Sequence, residues 1–301
     1  MMDAKQRARE CFIKGYRYDT LDPDSDKAVD AYRESIKFDD SMTDAYVNLG
    51  FIWLQRENYD EALKCFEKAV TLEPDNPEAY NNLGYVYERM DRSRSAKQIY
   101  EKALELSPDN MEAMLNIAQA LELEGDYYGA VEQYRKAIAT NHDAVAPIFC
   151  LAVLYDRYDM FDEAIQEYEN VLDRDPTHVK ANFNLGNLYV QLGDYRKAIA
   201  YFERVLKVQP DSSETWNNLG SVYEDNGDYK EAVSAYQRSL SLNNFQEEAH
   251  VNLARVQYSQ YRSNPDNVLK EEIIQRLNFA LSLSPHNKKV LQILEELTET
   301  S

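Results

Sequence analysis

Residues 77–110 read PEAYNNLGYVYERMDRSRSAKQIYEKALELSPDN, and this stretch decides the fold because its landmarks recur along the chain. The triplet Asn-Leu-Gly at 82–84 returns at 48–50, 184–186 and 218–220, always in a spacing of 34 residues or a multiple of it. Asn-Ile-Ala and Asn-Leu-Ala stand in the same phase, beginning at Asn116 and Asn252. A fixed period of this length predicts stacked helix-turn-helix units, in which each unit covers the apolar face of its neighbour.

The other landmarks keep this phase when Thr43 is counted as position 1 of a repeat. Position 20 is always alanine and position 24 always aromatic in six consecutive repeats. These residues are Ala62, Ala96, Ala130, Ala164, Ala198 and Ala232, and Phe66, Tyr100, Tyr134, Tyr168, Phe202 and Tyr236. Positions 4, 7, 8 and 11 are spaced as one apolar helical face. Small residues at positions 8 and 20 therefore predict two helices in close approach, with the aromatic ring filling the space below the next repeat.

Turn and cap residues separate the predicted helices. Gly-Asp-Tyr at 125–127, 193–195 and 227–229 indicates a tight turn between the paired helices. Between repeats, Asn76 is predicted to cap the next helix, with Pro77 in its first turn and Glu78 near the positive end of the helix dipole.

This pattern resembles the tetratricopeptide repeat (TPR) family over nearly the whole chain. The resemblance implies an all-α fold, a right-handed α-α superhelix, here as one solenoid over residues 1–301. We expect eight repeats, at 5–42, 43–76, 77–110, 111–144, 145–178, 179–212, 213–246 and 247–287. The first has extra length around 20–24, and the last has an insertion near 257–268. A final helix at 288–299, with Val290, Leu291, Leu294 and Leu297 apolar, is expected to cap the exposed end.

Composition restricts the possible partners. The chain has 33 basic and 53 acidic residues, a formal net charge of −20 and a pI of about 4.6. Because phosphate binding requires a basic surface, neither nucleic acid nor an acidic membrane surface is expected as a partner. We expect no membrane insertion and no secretion signal, since no long apolar run is present and the start of the chain is polar. Three isolated cysteines favour a reducing compartment, so a cytoplasmic location is predicted.

No catalytic, metal or cofactor site is predicted. The four histidines stand at different phases, far apart, and none has metal-ligand spacing with a nearby cysteine or carboxylate. No phosphate-binding loop, nucleophile elbow or zinc-protease motif is found. We therefore expect a protein that is not an enzyme, and most of the 23 tyrosines are explained as repeat-core residues.

The face of each first helix that stacking does not use consists of positions 2, 5, 6, 9, 12 and 13. In TPR solenoids this face lines the concave groove, which the resemblance implies here. Position 6 is occupied by Asn48, Asn82, Asn116, Cys150, Asn184, Asn218 and Asn252. This asparagine row is similar to that of O-linked N-acetylglucosamine transferases and kinesin light chains, where the amides bond to the backbone of an extended peptide. The alternative is that the amides bond to neighbouring helices.

The asparagine row is interrupted at the fifth repeat, where apolar residues face the groove. Phe149 and Val153 occupy this repeat, and Phe183 and Asn187 follow in the next one. Apolar side chains that stacking does not require favour a pocket for a hydrophobic anchor of a partner. They are also compatible with packing on the second helices or on another copy of the chain.

Position 2 carries mostly acids, at Asp44, Glu78, Glu112, Glu214 and Glu248. They stabilise the helix dipole, and they also favour a basic ligand. The lysine and arginine clamp with which some TPR co-chaperones grip acidic chaperone tails is absent here.

The sequence thus predicts a non-catalytic scaffold that holds an extended peptide segment of a partner protein, either basic or carrying an apolar anchor. The alternatives are a self-assembling homo-oligomer and a regulatory or targeting subunit of a complex whose enzyme is on another chain.

Overall fold

The computed structural model describes residues 3–21 and 26–299, and within these ranges the chain is α-helical throughout, with short turns and no strand. The helices are α1 Ala4–Leu21, α2 Asp26–Phe38, α3 Thr43–Gln55, α4 Tyr59–Leu72, α5 Pro77–Arg89, α6 Ser93–Leu106, α7 Met111–Glu124, α8 Tyr127–Thr140, α9 Val145–Arg157, α10 Phe161–Arg174, α11 Val179–Gln191, α12 Tyr195–Val208, α13 Ser213–Asn226, α14 Tyr229–Leu242, α15 Glu247–Ser263, α16 Asn267–Leu283 and α17 Lys288–Glu299. This confirms the predicted all-α solenoid of helix pairs. The extra length expected in the first inter-helix turn falls partly on residues 22–25, which lie outside the described residues.

The chain forms two compact units, Met1–Pro147 and Ile148–Ser301, and the boundary between them falls inside α9. Within each unit an odd-numbered helix packs against the even-numbered helix that follows it, as α5 does with α6 and α13 with α14. The repeat limits given above stay predictions.

The helix pairs approach closely because the residue at position 8 lies against the ring at position 24. A β-carbon built on Gly84 would stand 2.5 Å from Cε1 of Tyr100, and one on Gly186 would stand 2.7 Å from Cε1 of Phe202. Both rings are completely buried, at 0% exposure. The glycine therefore provides the space in which the ring sits.

In the six repeats that begin between Thr43 and Ser213, position 15, just after the first helix, adopts a left-handed backbone whether or not it is glycine. Gly125, Gly193 and Gly227 have φ of 79°, 74° and 87°. At the same position Glu57, Asp91 and Asp159 have φ of 57°, 56° and 57°. A side chain makes the left-handed region of φ unfavourable. The turns at Glu57, Asp91 and Asp159 are therefore strained, whereas the three glycine turns are not.

The predicted cap at Asn76 is confirmed, since its side chain accepts a hydrogen bond from the backbone N–H of Glu78 and Pro77 opens α5. The insertion predicted near 257–268 lengthens helices rather than the turn between them. Both α15 and α16 have 17 residues, whereas the preceding helices from α2 onward have 13 or 14.

The last helix packs through two fully buried side chains. Val290 and Leu297 join the apolar cluster of α15 and α16 that includes Ile273 and Leu277. Leu291, which was expected on the covered face, is 47% exposed instead. Within the described ranges, none of the helices combines the length and apolarity needed to cross a bilayer.

Candidate functional site

Positions 2, 5, 6, 9, 12 and 13 of the odd-numbered helices form a face that we call the open face, and it is considered separately in each unit. Its residues are placed by the helical repeat, because positions three and four apart lie side by side. Beneath it stand the buried aromatic rings of position 24. Side chains of the open face therefore either bond to these rings or extend outward from them.

The tyrosines of position 24 are joined to the open face by their hydroxyl groups, which donate to a carboxylate at position 12 of the same repeat. The bonds are Tyr100 to Glu88 at 3.1 Å, Tyr134 to Glu122 at 2.5 Å, Tyr168 to Asp156 at 3.3 Å and Tyr236 to Glu224 at 3.1 Å. Where position 24 is Phe66 or Phe202, position 12 is apolar, Leu54 or Val190. Burial raises the pKa of Tyr168, which keeps its hydroxyl protonated as a donor.

In two repeats the asparagine of position 6 bonds to the buried tyrosine of the preceding repeat, which is Tyr32 in one case and Tyr168 in the other. Nδ2 of Asn48 donates to the hydroxyl of Tyr32 at 3.1 Å, and Nδ2 of Asn184 donates to that of Tyr168 at 2.9 Å. Because an amide offers two N–H groups and one carbonyl oxygen, each asparagine still has a donor and an acceptor for a ligand. The amides therefore have the structural partner considered as the alternative, without being saturated by it.

The remaining members of the row differ in exposure. Asn82, Asn116 and Asn218 are half-buried on the open face. Asn252 is only 8% exposed, and its Nδ2 donates to Oδ1 of Asn217 at 3.3 Å. This buried amide pair leaves a ligand little to reach at Asn252, and the groove contacts predicted for the row stay predictions.

Three residues predicted for the groove meet in one depression of the second unit. Phe149, Phe183 and Asn184 line it, and its volume is about 190 Å³. The other lining residues are Val179, Lys180, Val205, Gln209, Ser212, Glu214 and Thr215. We call this the Phe149/Phe183 depression.

The two phenylalanine rings are held by aromatic contacts. The Phe149 ring centroid lies 6.0 Å from that of Tyr168 and 5.0 Å from that of His178. The Phe183 centroid lies 5.7 Å from that of Phe202. Both phenylalanines are half-buried, so one side of each ring packs on the core and the other side faces the depression.

Val153 and Asn187, which were predicted for the groove, are half-buried and do not line the depression. Conversely, sequence reasoning did not assign Gln209 and Ser212 to the site. These two residues lie in the turn that leads into α13, at positions 31 and 34 of their repeat. Position 34 directly precedes the first helix of the next repeat. Its place in the sequence could therefore have indicated that Ser212 lies beside the open face.

The depression carries charges of both signs at its rim. Lys180 and Glu214 are exposed members of its lining, and both occupy position 2. The acids at position 2 in the other repeats, Asp44, Glu78, Glu112 and Glu248, are exposed as well. Within the described part of the chain, no three His, Cys, Asp or Glu side chains are grouped to hold a metal ion.

The fold and this site define a class of helical repeat protein, and the sequence comparison identifies the family. Sequence models described as tetratricopeptide repeats match residues 52–91, 77–110, 99–132, 145–211 and 183–247. Together the matches cover more than half of the chain. The chain belongs to the TPR family.

Solved TPR structures share the fold. The C-terminal part of a TPR repeat-containing protein from Cytophaga hutchinsonii aligns with a TM-score of 0.70 and 19% identity over 82% of this chain and 99% of that one. A TPR protein from Parabacteroides merdae gives 0.55 and 17% over 85% and 98%, and PilF of Pseudomonas aeruginosa gives 0.57 and 20% over 73% and 97%. Identities this low establish the fold alone. No curated protein matches the sequence.

Proposed function

We propose that this TPR protein is a non-catalytic interaction scaffold, which holds an extended segment of a partner protein on the open face of its second unit. The observation that carries the proposal is the Phe149/Phe183 depression, where two half-buried aromatic rings and the amide of Asn184 meet. The aromatic rings suit an apolar side chain, and the amide suits a peptide backbone.

The size of the depression favours a single side chain over a small molecule. At about 190 Å³ it is smaller than the roughly 300–1,000 Å³ of most small-molecule pockets. Transferring one leucine, isoleucine or phenylalanine side chain from water into it would contribute about 1.5–3 kcal/mol. The partner segment therefore carries one large apolar residue as its anchor.

The amide of Asn184 provides the second contact. Its Nδ2 is anchored on Tyr168, which fixes the orientation of the side chain before a ligand arrives. The free carbonyl oxygen and the second N–H then match the N–H and C=O of one peptide unit. Asn184 would therefore bind the backbone of the partner segment, whatever its side chains. Such a hydrogen bond contributes about 0.5–1.5 kcal/mol net.

Charge sets the preference among partner segments. The exposed acids of position 2 and the net charge of −20 favour basic residues beside the anchor and oppose nucleic acid. Lys180 is a local exception within the depression, so an acidic residue is tolerated next to the anchor at that point. As part of the same proposal, the isolated cysteines support a cytoplasmic setting.

A random peptide library displayed on phage and selected against the full chain tests this proposal. The selected peptides should share one large apolar residue, with basic residues more frequent than in the unselected library. Their affinity should fall for Phe149→Ala and for Phe183→Ala. The control is Phe245→Ala, since Phe245 is 75% exposed in the turn before α15, away from the depression. Selected peptides that bind the Phe149 and Phe183 variants as well as the wild type would refute the site.

The oligomeric state of the chain distinguishes binding of a partner peptide from self-association. Light scattering over a concentration series should show a constant mass if the open face receives a peptide of another protein. A mass that grows with concentration, and that Phe183→Ala restores to the monomer value, would instead assign the depression to contacts between copies.

A further inference from the structure

A second pocket lies between α13 and α14, within the second unit. Trp216 and Tyr223 of α13 line it together with Ala235 and Arg238 of α14, and its volume is about 360 Å³. It shares no lining residue with the Phe149/Phe183 depression. We call it the Trp216/Tyr223 pocket.

The preceding repeat shows what fills the equivalent space. Tyr189 and Tyr201 stand there at positions 11 and 23, and their rings stack with the centroids 5.6 Å apart and an angle of 4° between the planes. Cζ of Arg204, at position 26, lies over the Tyr201 ring, 4.9 Å from its centroid. The ring at position 23 is therefore in contact with both a tyrosine ring and a guanidinium group.

The Trp216/Tyr223 pocket has the same tyrosine and arginine but lacks the ring. Tyr223 is at position 11 and Arg238 at position 26, whereas position 23 is Ala235. Alanine is the smallest residue at position 23 from the second repeat to the seventh, where the residues are Cys65, Ile99, Gln133, Glu167, Tyr201 and Ala235. Tyr189 is only 5% exposed, whereas Tyr223 is half-buried. The pocket thus occupies the place that a ring fills one repeat earlier.

The aromatic and hydroxyl groups of the lining use their hydrogen-bond donors within the chain. The bonds are from Nε1 of Trp216 to the carbonyl of Pro210 at 3.0 Å, from the hydroxyl of Tyr223 to Oε1 of Glu203 at 3.4 Å and from the hydroxyl of Ser234 to the carbonyl of Lys230 at 3.1 Å. Sites for free small molecules usually orient their ligand through a few such polar groups. This pocket offers mainly the faces of its rings, which suits an aromatic side chain that a polypeptide holds in place.

The charged groups around the pocket do not select a charged ligand. Lys230 and Arg238 are opposed by Glu231 in the lining and by Glu203, to which Tyr223 donates its hydroxyl hydrogen bond. A neutral ring is therefore expected. Stacking on Tyr223 and contact with the guanidinium of Arg238 are the interactions that would hold it.

We propose that the Trp216/Tyr223 pocket binds a tyrosine side chain of a partner polypeptide, which takes the place that Tyr201 has in the preceding repeat. The ring stacks on Tyr223 and meets Arg238, and Trp216 lines the same space. This second binding site does not rest on the function proposed above, because it has no residue in common with the Phe149/Phe183 depression.

The test is an NMR titration of the isotopically labelled full chain with a short glycine-serine peptide that carries one central tyrosine. The chain has two tryptophans, so the indole N–H of Trp216 gives one of two such signals, and that of Trp53 is the internal control. The tyrosine peptide should shift the Trp216 signal, and the same peptide with leucine should bind much more weakly. Equal binding of the two peptides, or no shift at Trp216, would overturn the proposal.

A third probe separates a polypeptide from a free aromatic molecule. This probe is p-cresol, which has the ring and hydroxyl of tyrosine without a backbone. It should bind more weakly than the tyrosine peptide. Tighter binding of p-cresol at the Trp216 signal would overturn the assignment to a partner polypeptide, because the pocket would then be a small-molecule site.

Exchanging the residues of position 23 tests the comparison between the two repeats. Ala235→Tyr should weaken the tyrosine peptide by about tenfold or more, because the chain then supplies the ring itself. The preceding repeat has tyrosine at this position, so the fold should tolerate it, and thermal melts check that it does. Adding Tyr201→Ala opens the space beside Tyr189 and should recover binding, followed through the backbone signals of α11 and α12. No recovery in the folded double variant would overturn the proposal.

The arginines of position 26 provide a matched pair. Arg238→Gln should weaken the tyrosine peptide about twofold to fivefold, since one cation–π contact is lost. Arg204→Gln should leave its affinity unchanged, because Tyr201 already fills the space beside Arg204. Equal losses in the two variants would contradict binding beside Arg238.

The two proposals fail independently. Phe149→Ala should leave the shift of the Trp216 signal unchanged, and loss of the shift in that variant would contradict a separate site. If the tyrosine peptide does not bind while peptides selected on phage still depend on Phe183, only the proposal for the Trp216/Tyr223 pocket is refuted. Self-association that Ala235→Tyr abolishes would also refute it, because the pocket would then receive a side chain of a second copy of the chain.

Discussion

Replacing Glu57 with glycine should stabilise the first unit, because Glu57, two residues after the end of α3, has a left-handed conformation with φ of 57°. A residue with a side chain costs about 1–2 kcal/mol in this conformation. Glycine avoids that cost, but it adds freedom to the unfolded chain, which offsets about 0.4–1 kcal/mol. The expected increase in the free energy of unfolding is therefore about 0.5–1 kcal/mol. Glu57 is exposed, so the substitution removes no buried contact.

The opposite substitution, glycine to a residue with a side chain, can be made at Gly193. Gly193 holds the equivalent position with φ of 74°, and a β-carbon there would meet nothing within 4 Å. Gly193→Ala therefore isolates the backbone cost and should destabilise by about 1 kcal/mol. Asp91→Gly should gain less than Glu57→Gly, because aspartate tolerates the left-handed region better than glutamate does.

Urea unfolding followed by circular dichroism measures both effects as shifts of the transition midpoint. The midpoint should rise for Glu57→Gly and fall for Gly193→Ala. Because two units are present, each unit should be followed with its own probe if the transitions separate. Two shifts in the same direction, or a lower midpoint for Glu57→Gly, would show that the left-handed turn is not the source of strain.

Three further predictions concern the core and the C-terminal end. Gly186→Ala should destabilise by about 1–3 kcal/mol, measured by urea unfolding, because its β-carbon would press into the buried ring of Phe202; an unchanged midpoint would contradict this packing. Burial lowers the pKa of His250, so its contribution to stability is present above about pH 6.5 and is lost as the pH falls below it. Thermal melts between pH 5 and 7.5 should show this loss, and His250→Tyr should reduce it. Ending the chain after Pro285 should increase the binding of a hydrophobic dye, because Val290 would no longer cover the apolar cluster of α15 and α16; a truncated chain as stable as the full one would contradict the packing of α17.

The packing of the helix pairs could be predicted from the sequence because it depends on residue size at a fixed period. Gly84 and Tyr100 lie in contact as their positions require, and Asn76 caps α5. The left-handed turns at Glu57 and Asp159 could not be predicted in this way. Glycine is the strongest signal of a positive φ in a sequence and aspartate a weaker one, whereas at Glu57 the tertiary fold imposes this conformation on a residue that disfavours it.

The candidate site was predictable in its apolar part and not in its hydrogen bonds. Phe149 and Phe183 were expected together, and they line one depression. A bond from the amides to neighbouring helices was the alternative considered, but the sequence did not indicate that Tyr168, 16 residues before Asn184, would be the partner. Asn252 differs from the other asparagines of the row because its amide bonds to Asn217, which lies at position 5 of the preceding repeat, outside the row that was considered.

The affinity of one phage-selected peptide for Phe183→Ala, compared with Phe245→Ala, tests the central claim most directly. Both substitutions remove one phenylalanine, but only Phe183 lines the depression. Isothermal titration should show a loss of about 1.5–3 kcal/mol for Phe183→Ala, the value of one buried apolar contact, and no change for Phe245→Ala. Equal affinities for the two variants, with both chains folded, would contradict a peptide-binding site at the Phe149/Phe183 depression.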